Sequence, residues 1–306
     1  MIQDKIFKDK KIARPFYVGL AALILMCICS VVMSVKLVIL RDNELKALTV
    51  GTNAVGIFFC TAIYPGCILG IRHNRAIARF FGVMLLLTGM TQLLEISMIL
   101  LDERPPFRML LLSASILYGI LERVILFALW RYVIALFRIE PDRVQASNRF
   151  VAVMLVPSTL LCLIDLWTPF FGGVDATGNY FLAGHQLLDM SYGIIVCLAI
   201  AITMVRVGIR PGRILTVLSY ILIPGVVLGL TWNKPDLNIQ HVASALTLTL
   251  IYSVLNSESA RRTAAMEKEL SMAGQIQNSM LPDVDTDTSI PPQVELYASM
   301  QPAKEV

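Results

Sequence analysis

Six ionisable side chains lie in stretches of this sequence that are otherwise apolar: Glu95, Glu122, Asp165, His185, Asp189 and His241. Carboxylates and imidazoles in such surroundings can hold a proton, a cation or a polar ligand, because a charge away from water is costly unless a partner offsets it. His185 and Asp189 are four residues apart, which puts them on one face of a helix. Gln92 stands one turn from Glu95, and Arg123 follows Glu122 directly, on a different face. Two readings of the set are open. It lines a pocket that takes a small ligand or ion from the outer side, with His241 reporting occupancy to its helix. Or the same groups make polar contacts between helices and reach interfacial water. Acids with histidine also suit a metal ion or titration near neutral pH, although these residues are too scattered to form a spaced ligand motif.

The elements that must position these groups are apolar runs of roughly 20 residues, the length that spans a bilayer. The 306 residues are 56% hydrophobic and only 16% charged, where soluble domains carry about 25% charge. Eight runs are visible, at about 16–40, 50–70, 79–101, 109–137, 149–168, 186–206, 212–231 and 238–256. Backbone groups in lipid need partners within their own segment, so each run is expected to be a helix. The expected fold class is an all-α polytopic membrane helical bundle of about eight spans, filling a domain over 1–256. Pro65, Pro157 and Pro224 fall inside three runs and predict kinks. Gly82 and Gly89, seven apart, suit close helix packing. All six cysteines lie in apolar runs without zinc-type spacing and read as small hydrophobes. No internal repeat is evident, which counts against an inverted-repeat transporter.

Basic residues alternate between the connections. Lys5, Lys8, Lys10, Lys11 and Arg14 precede the first run. Arg72, Arg75 and Arg79 follow the second, Arg131, Arg138, Arg143 and Arg149 lie around the fourth-to-fifth connection, Arg206, Arg210 and Arg213 crowd the sixth-to-seventh, and Arg261 and Arg262 follow the eighth. The positive-inside rule then places both termini in the cytoplasm, with an even number of spans. It also accounts for the net charge of +4, so nucleic acid is not an expected partner. The connection 169–185 falls on the outer side and is rich in Gly and aromatic residues. It is either a plain loop or a cap folded over a ligand.

The eighth run passes without Gly or Pro into a charged stretch, SESARRTAAMEKELSM, and Pro282 ends it. One long helix leaving the membrane is expected, with a cytoplasmic linker over 257–282. Met266, Leu270, Ala273, Ile276 or Gln277, and Met280 recur at three- and four-residue steps. That seam suits either a homodimeric coiled coil through 257–281 or a helix packed on its own domain. Beyond it, VELYASM reads as a strand entering a further domain over 283–306.

ELSMAGQIQNSMLP, followed by VELYASMQPAKEV, resembles the start of the bacterial SpoIIE-type serine/threonine phosphatases of the PPM superfamily. The family opens with A-x-x-I-Q-x-S-x-L-P, matched here by Ala273, Ile276, Gln277, Ser279, Leu281 and Pro282. A strand with an aromatic residue follows, here with Tyr297, then P-A-x-x-V, here Pro302, Ala303 and Val306. The resemblance implies the first strand of an α/β phosphatase domain, whose G-G-D-aromatic-x-D segment is expected directly after Val306. It further implies two Mn2+ or Mg2+ ions in the complete catalytic domain, none of whose ligands lies in this stretch, so the chain as given is expected to be inactive. A phosphorylated regulatory protein, such as an anti-sigma-factor antagonist, is the implied substrate. The expected function is a sensor in the bacterial cytoplasmic membrane that controls this phosphatase. A transporter with a regulatory tail and a passive membrane anchor are the alternatives.

Overall fold

Helix forms over every apolar run among the described residues, because only helix satisfies the backbone within a segment surrounded by lipid. The computed structural model describes residues 10–40, 44–70, 75–183, 185–209, 211–231 and 238–279. Its helices are α1 (Lys10–Leu40), α2 (Glu44–Gly70), α3 (Arg75–Leu101), α4 (Arg108–Leu136), α5 (Pro141–Ile164), α6 (Gln186–Arg206), α7 (Pro211–Thr231) and α8 (Gln240–Ser279). Among the described residues, five segments are long and apolar enough to cross a membrane: Tyr17–Val35, Glu44–Cys67, Arg75–Leu101, Pro105–Leu136 and Val144–Ile164. Met190–Arg206 of α6 and Val217–Thr231 of α7 are shorter apolar stretches. Leu25, Ile28, Val31 and Val32 of α1 are exposed, as are Val153, Val156 and Leu160 of α5. Water would penalise such faces, whereas lipid solvates them. The chain is an all-α bundle of a membrane protein.

Helices adjacent in sequence pack side by side, from α1 on α2 through to α6 on α7, and α1 also meets α3 while α4 meets α6. Gly82 faces the Tyr64 ring of α2, and Gly89 faces Leu23 and Met26 of α1. The two glycines thus admit neighbouring side chains, the role expected of them. Trp130 of α4 is fully buried and donates its indole N–H to Asn148 Oδ1 of α5 at 3.1 Å.

The α5–α6 connection contains an antiparallel hairpin, β1 (Gly172–Val174) with β2 (Tyr180–Leu182). β1 is buried and lies against α4. At the tip, Asp175 Oδ1 accepts the backbone N–H groups of Thr177 and Asn179, both at 2.9 Å, and the Thr177 hydroxyl at 2.6 Å. These donors, the Thr177 hydroxyl first, hold the Asp175 carboxyl below the usual carboxylate range. The hairpin is tied to the α3–α4 connection. Asp102 Oδ1 accepts the Tyr180 N–H at 2.9 Å, while Asp102 Oδ2 pairs with Lys46 of α2 at 2.9 Å. Glu103 takes φ 62 just beyond α3 and donates its N–H to Gly178 O at 3.1 Å.

The chain divides into two compact units, Met1–Ile251 and Tyr252–Val306, and α8 has residues in both. In the first, α8 buries His241, Ser244, Leu248 and Ile251, a stripe at three- and four-residue steps. In the second, Met266, Leu270, Ala273 and Ile276 of the expected seam are exposed. Met280, Leu281, Pro282, Tyr297, Pro302, Ala303, Val306 and the expected strand lie outside the described residues.

Gly178 has φ +89, and a Cβ there would lie 2.7 Å from the Arg104 carbonyl carbon. Gly178→Ala is expected to lose about 1–3 kcal/mol, measured as faster proteolysis of the 170–185 segment in nanodiscs. A carboxyl held below its unfolded value stabilises above that value and loses the effect as pH falls through the folded one. The turn is therefore expected to loosen below about pH 4, read as growing pepsin cleavage at 175–179, and Asp175→Ala should remove that pH dependence.

Candidate functional site

The start of α8 carries the polar residues on which the bundle converges. Asn238 donates its N–H to Thr49 Oγ1 of α2 at 3.1 Å, and its Oδ1 accepts the Gln240 N–H at 3.2 Å. That side chain satisfies one of the donors a helix start leaves open. One residue on, His241 is 4% exposed. Gln92 of α3 donates to the His241 carbonyl at 3.0 Å. Tyr118 of α4 stands edge-on to the imidazole, with centroids 5.2 Å apart, and shares a hydrogen bond between its hydroxyl and Nε2.

Two carboxylates flank the same ring nitrogen. His241 Nε2 lies 3.7 Å from Glu95 Oε2 of α3 and 4.0 Å from Glu122 Oε1 of α4. Both distances allow an ion pair but exceed a hydrogen bond. Glu95 is buried and accepts Asn53 Nδ2 of α2 at 2.8 Å. Glu122 is partly exposed and accepts Gln240 Nε2 at 3.4 Å. Asn53 Oδ1 and Gln92 Oε1 are buried and meet no hydrogen-bond donor among the described residues. The Gln92 amide lies across Gly56 of α2, where a Cβ would come within 2.8 Å of its Cδ.

Of the six residues singled out in the sequence, Glu95, Glu122 and His241 are thus brought together. Asp165 and His185 are not part of this cluster. Asp165, at the end of α5, accepts the N–H groups of Phe170 and Phe171 at 2.7 and 2.8 Å. His185 precedes α6, where its ring stacks on Phe170 at 4.4 Å and its Nδ1 lies 3.2 Å from the Phe170 carbonyl. Both brace the base of the hairpin. Asp189 lies in α6, and its side chain is outside the described residues.

Glu122 and Arg123 diverge as their helical spacing requires. Arg123 is buried, donates to Gly119 O at 2.7 Å and places its guanidinium 5.5 Å from the Phe171 ring. It therefore serves the hairpin side of α4, while Glu122 serves α8. Asn53, Tyr118 and Gln240 complete the cluster and were not flagged by charge. Their signal in the sequence is weaker: a neutral hydrogen-bonding group within or at the edge of an apolar run.

Chemically, the cluster can bind and pass a proton. It is rich in acceptors, and the Nε2 hydrogen of the imidazole can serve only one of Tyr118, Glu95 and Glu122 at a time. Among the described residues no three His, Cys, Asp or Glu side chains are placed to hold a metal ion.

Gly56→Ala is expected to displace the Gln92 amide from the His241 carbonyl and lower stability by about 1–3 kcal/mol, seen as a lower Tm in nanodiscs. Asp165→Ala should cost a similar amount by stranding two backbone donors, yet leave the titration behaviour of the His241 imidazole, followed by NMR, unchanged.

No family model, curated protein or solved structure matches this chain.

Proposed function

We propose that the chain is a membrane sensor whose eighth helix carries the state of the buried polar cluster towards a cytoplasmic output. The observation that carries this reading is the position of His241. It is held by side chains of α3 and α4, and it belongs to the helix that runs without interruption to Ser279. A change in how the cluster engages His241 acts on α8 itself. A signal works through such an element by favouring one of two packings.

In this proposal all eight helices span the cytoplasmic membrane of a bacterium, with both termini in the cytoplasm, as the alternation of basic connections supports. The output is a SpoIIE-type phosphatase acting on a phosphorylated regulatory protein and using two Mn2+ or Mg2+ ions. Support comes from the order and spacing of ELSMAGQIQNSMLP and VELYASMQPAKEV. The exposed Met266 and Leu270 suit contact with a second copy, giving a homodimer through 257–281. Carboxylates within the bundle also suit a transporter, and substrate flux into vesicles would favour that second reading over the sensor.

Inserting one to four residues after Ser257 in the full-length protein tests the transmission. Each added residue rotates the distal part of the helix by about 100°, so output should depend on the number inserted, with activity or signal response changed several-fold between phases. Output indifferent to the number inserted sinks the proposal. The phosphatase assignment is tested separately. Coding sequence continuing past Val306 into G-G-D-aromatic-x-D, with phosphoserine hydrolysis lost on chelation of the metal, supports it, and a continuation lacking that segment refutes it.

A further inference from the structure

An ionised Glu95 can use only the NH2 of the Asn53 amide and leaves its carbonyl unanswered. Asn53 is fully buried and gives its Nδ2 to Glu95 Oε2 at 2.8 Å, while its Oδ1 is left without a donor among the described residues. Buried polar atoms are nearly always paired. A carboxylate accepts only, but a protonated carboxyl also has an O–H to give, and an acid and an amide can then pair twice, N–H to one carboxyl oxygen and O–H to the amide carbonyl. With a proton on Glu95, the carboxyl O–H donates to Asn53 Oδ1, and the stranded acceptor is satisfied.

The unequal burial of the two carboxyls beside His241 points the same way. His241 Nε2 stands between Glu95 at 3.7 Å and Glu122 at 4.0 Å. One imidazolium can form a close pair with only one of them. Glu122 has a quarter of its side chain exposed and Glu95 less than a tenth. Water therefore helps to stabilise a charge on Glu122, whereas Glu95 must be neutral or paired.

We propose that Glu95 is a proton-binding site, with the Asn53 amide as its hydrogen-bond partner and His241 as the group that responds. When Glu95 holds the proton, the imidazole pairs with Glu122 on α4. When the proton leaves to water, the imidazole is drawn to Glu95 on α3. The titratable groups facing the site among the described residues are Tyr118 and Glu122 from α4 and His241 from α8. Tyr220 of α7 lies behind Thr88, at 3.4 Å from its hydroxyl. The amides of Asn53 from α2 and of Asn238 just before α8 also meet Glu95 and do not titrate. Loading and unloading Glu95 thus moves the hold on α8 from one neighbouring helix to another. That consequence rests on the sensor reading, while the proton site itself does not.

Infrared difference spectra of the full chain in nanodiscs, recorded between about pH 4 and pH 9, test the assignment. One buried carboxylic C=O band should titrate. It should vanish in Glu95→Gln, persist in Glu122→Gln and change frequency in Asn53→Leu. The assignment is overturned if no such band titrates or if the band survives Glu95→Gln. A midpoint that moves with sodium at constant ionic strength also overturns it, in favour of a sodium site. Should Glu95→Gln not fold, Asn53→Leu decides alone, and an unshifted band refutes the pairing. A titrating Glu95 band together with phase-independent insertions after Ser257 would end the sensor reading and leave the proton site standing. Phase-dependent insertions without the band would do the reverse.

Discussion

A polar side chain inside an apolar bundle has no water to turn to, so it must find its partner on a neighbouring helix. In this protein that constraint is concentrated on His241. Its carbonyl is taken by Gln92, its Nε2 meets Tyr118, and Glu95 and Glu122 stand on either side. Asn53 holds Glu95 from α2, and Gly56 one turn later makes room for the Gln92 amide. The relative height of α2, α3, α4 and the start of α8 follows from these contacts. A shift of α8 by one residue would leave several buried polar groups unpaired.

A second polar tie, around Asp102, works differently. Its two carboxylate oxygens join Lys46 at the start of α2 to the Tyr180 N–H of the hairpin. Asp165 and His185 hold the other end of that hairpin through Phe170 and Phe171. Most of these bonds run to backbone groups and have one natural arrangement each. The His241 cluster instead offers its imidazole two carboxylates at nearly equal distance. The first arrangement suits a brace. The second suits an element with more than one state, because a proton can change which partner is preferred.

Much of the helical architecture was legible in the sequence. Each apolar run gives a helix, and the run from Gln240 into charged residues gives a single helix of 40 residues. The hairpin was not legible. Its strands are three residues long, β1 is glycine-rich, and the pairing of Gly172 with Leu182 is set by docking on α4 and on Asp102. The site was legible in part. Glu95, Glu122 and His241 stand out because charge is rare in such runs. Asp165 and His185 share that signal but serve the hairpin, and Asn53 and Tyr118 serve the cluster without it. Sequence gives the depth of a polar group along its helix, but not the direction in which it faces its neighbours.

By itself, then, the sequence determined that this is a helical membrane protein and which of its side chains are costly to bury. Both are local consequences of composition and run length, since hydrogen bonding within a helix needs no knowledge of the rest of the chain. Only the tertiary structure decided that Glu95, Glu122 and His241 meet while Asp165 and His185 do not. Contacts between residues more than 100 positions apart depend on the rotation of each helix about its axis. That rotation is fixed jointly by all the packed neighbours and is not written in any one segment.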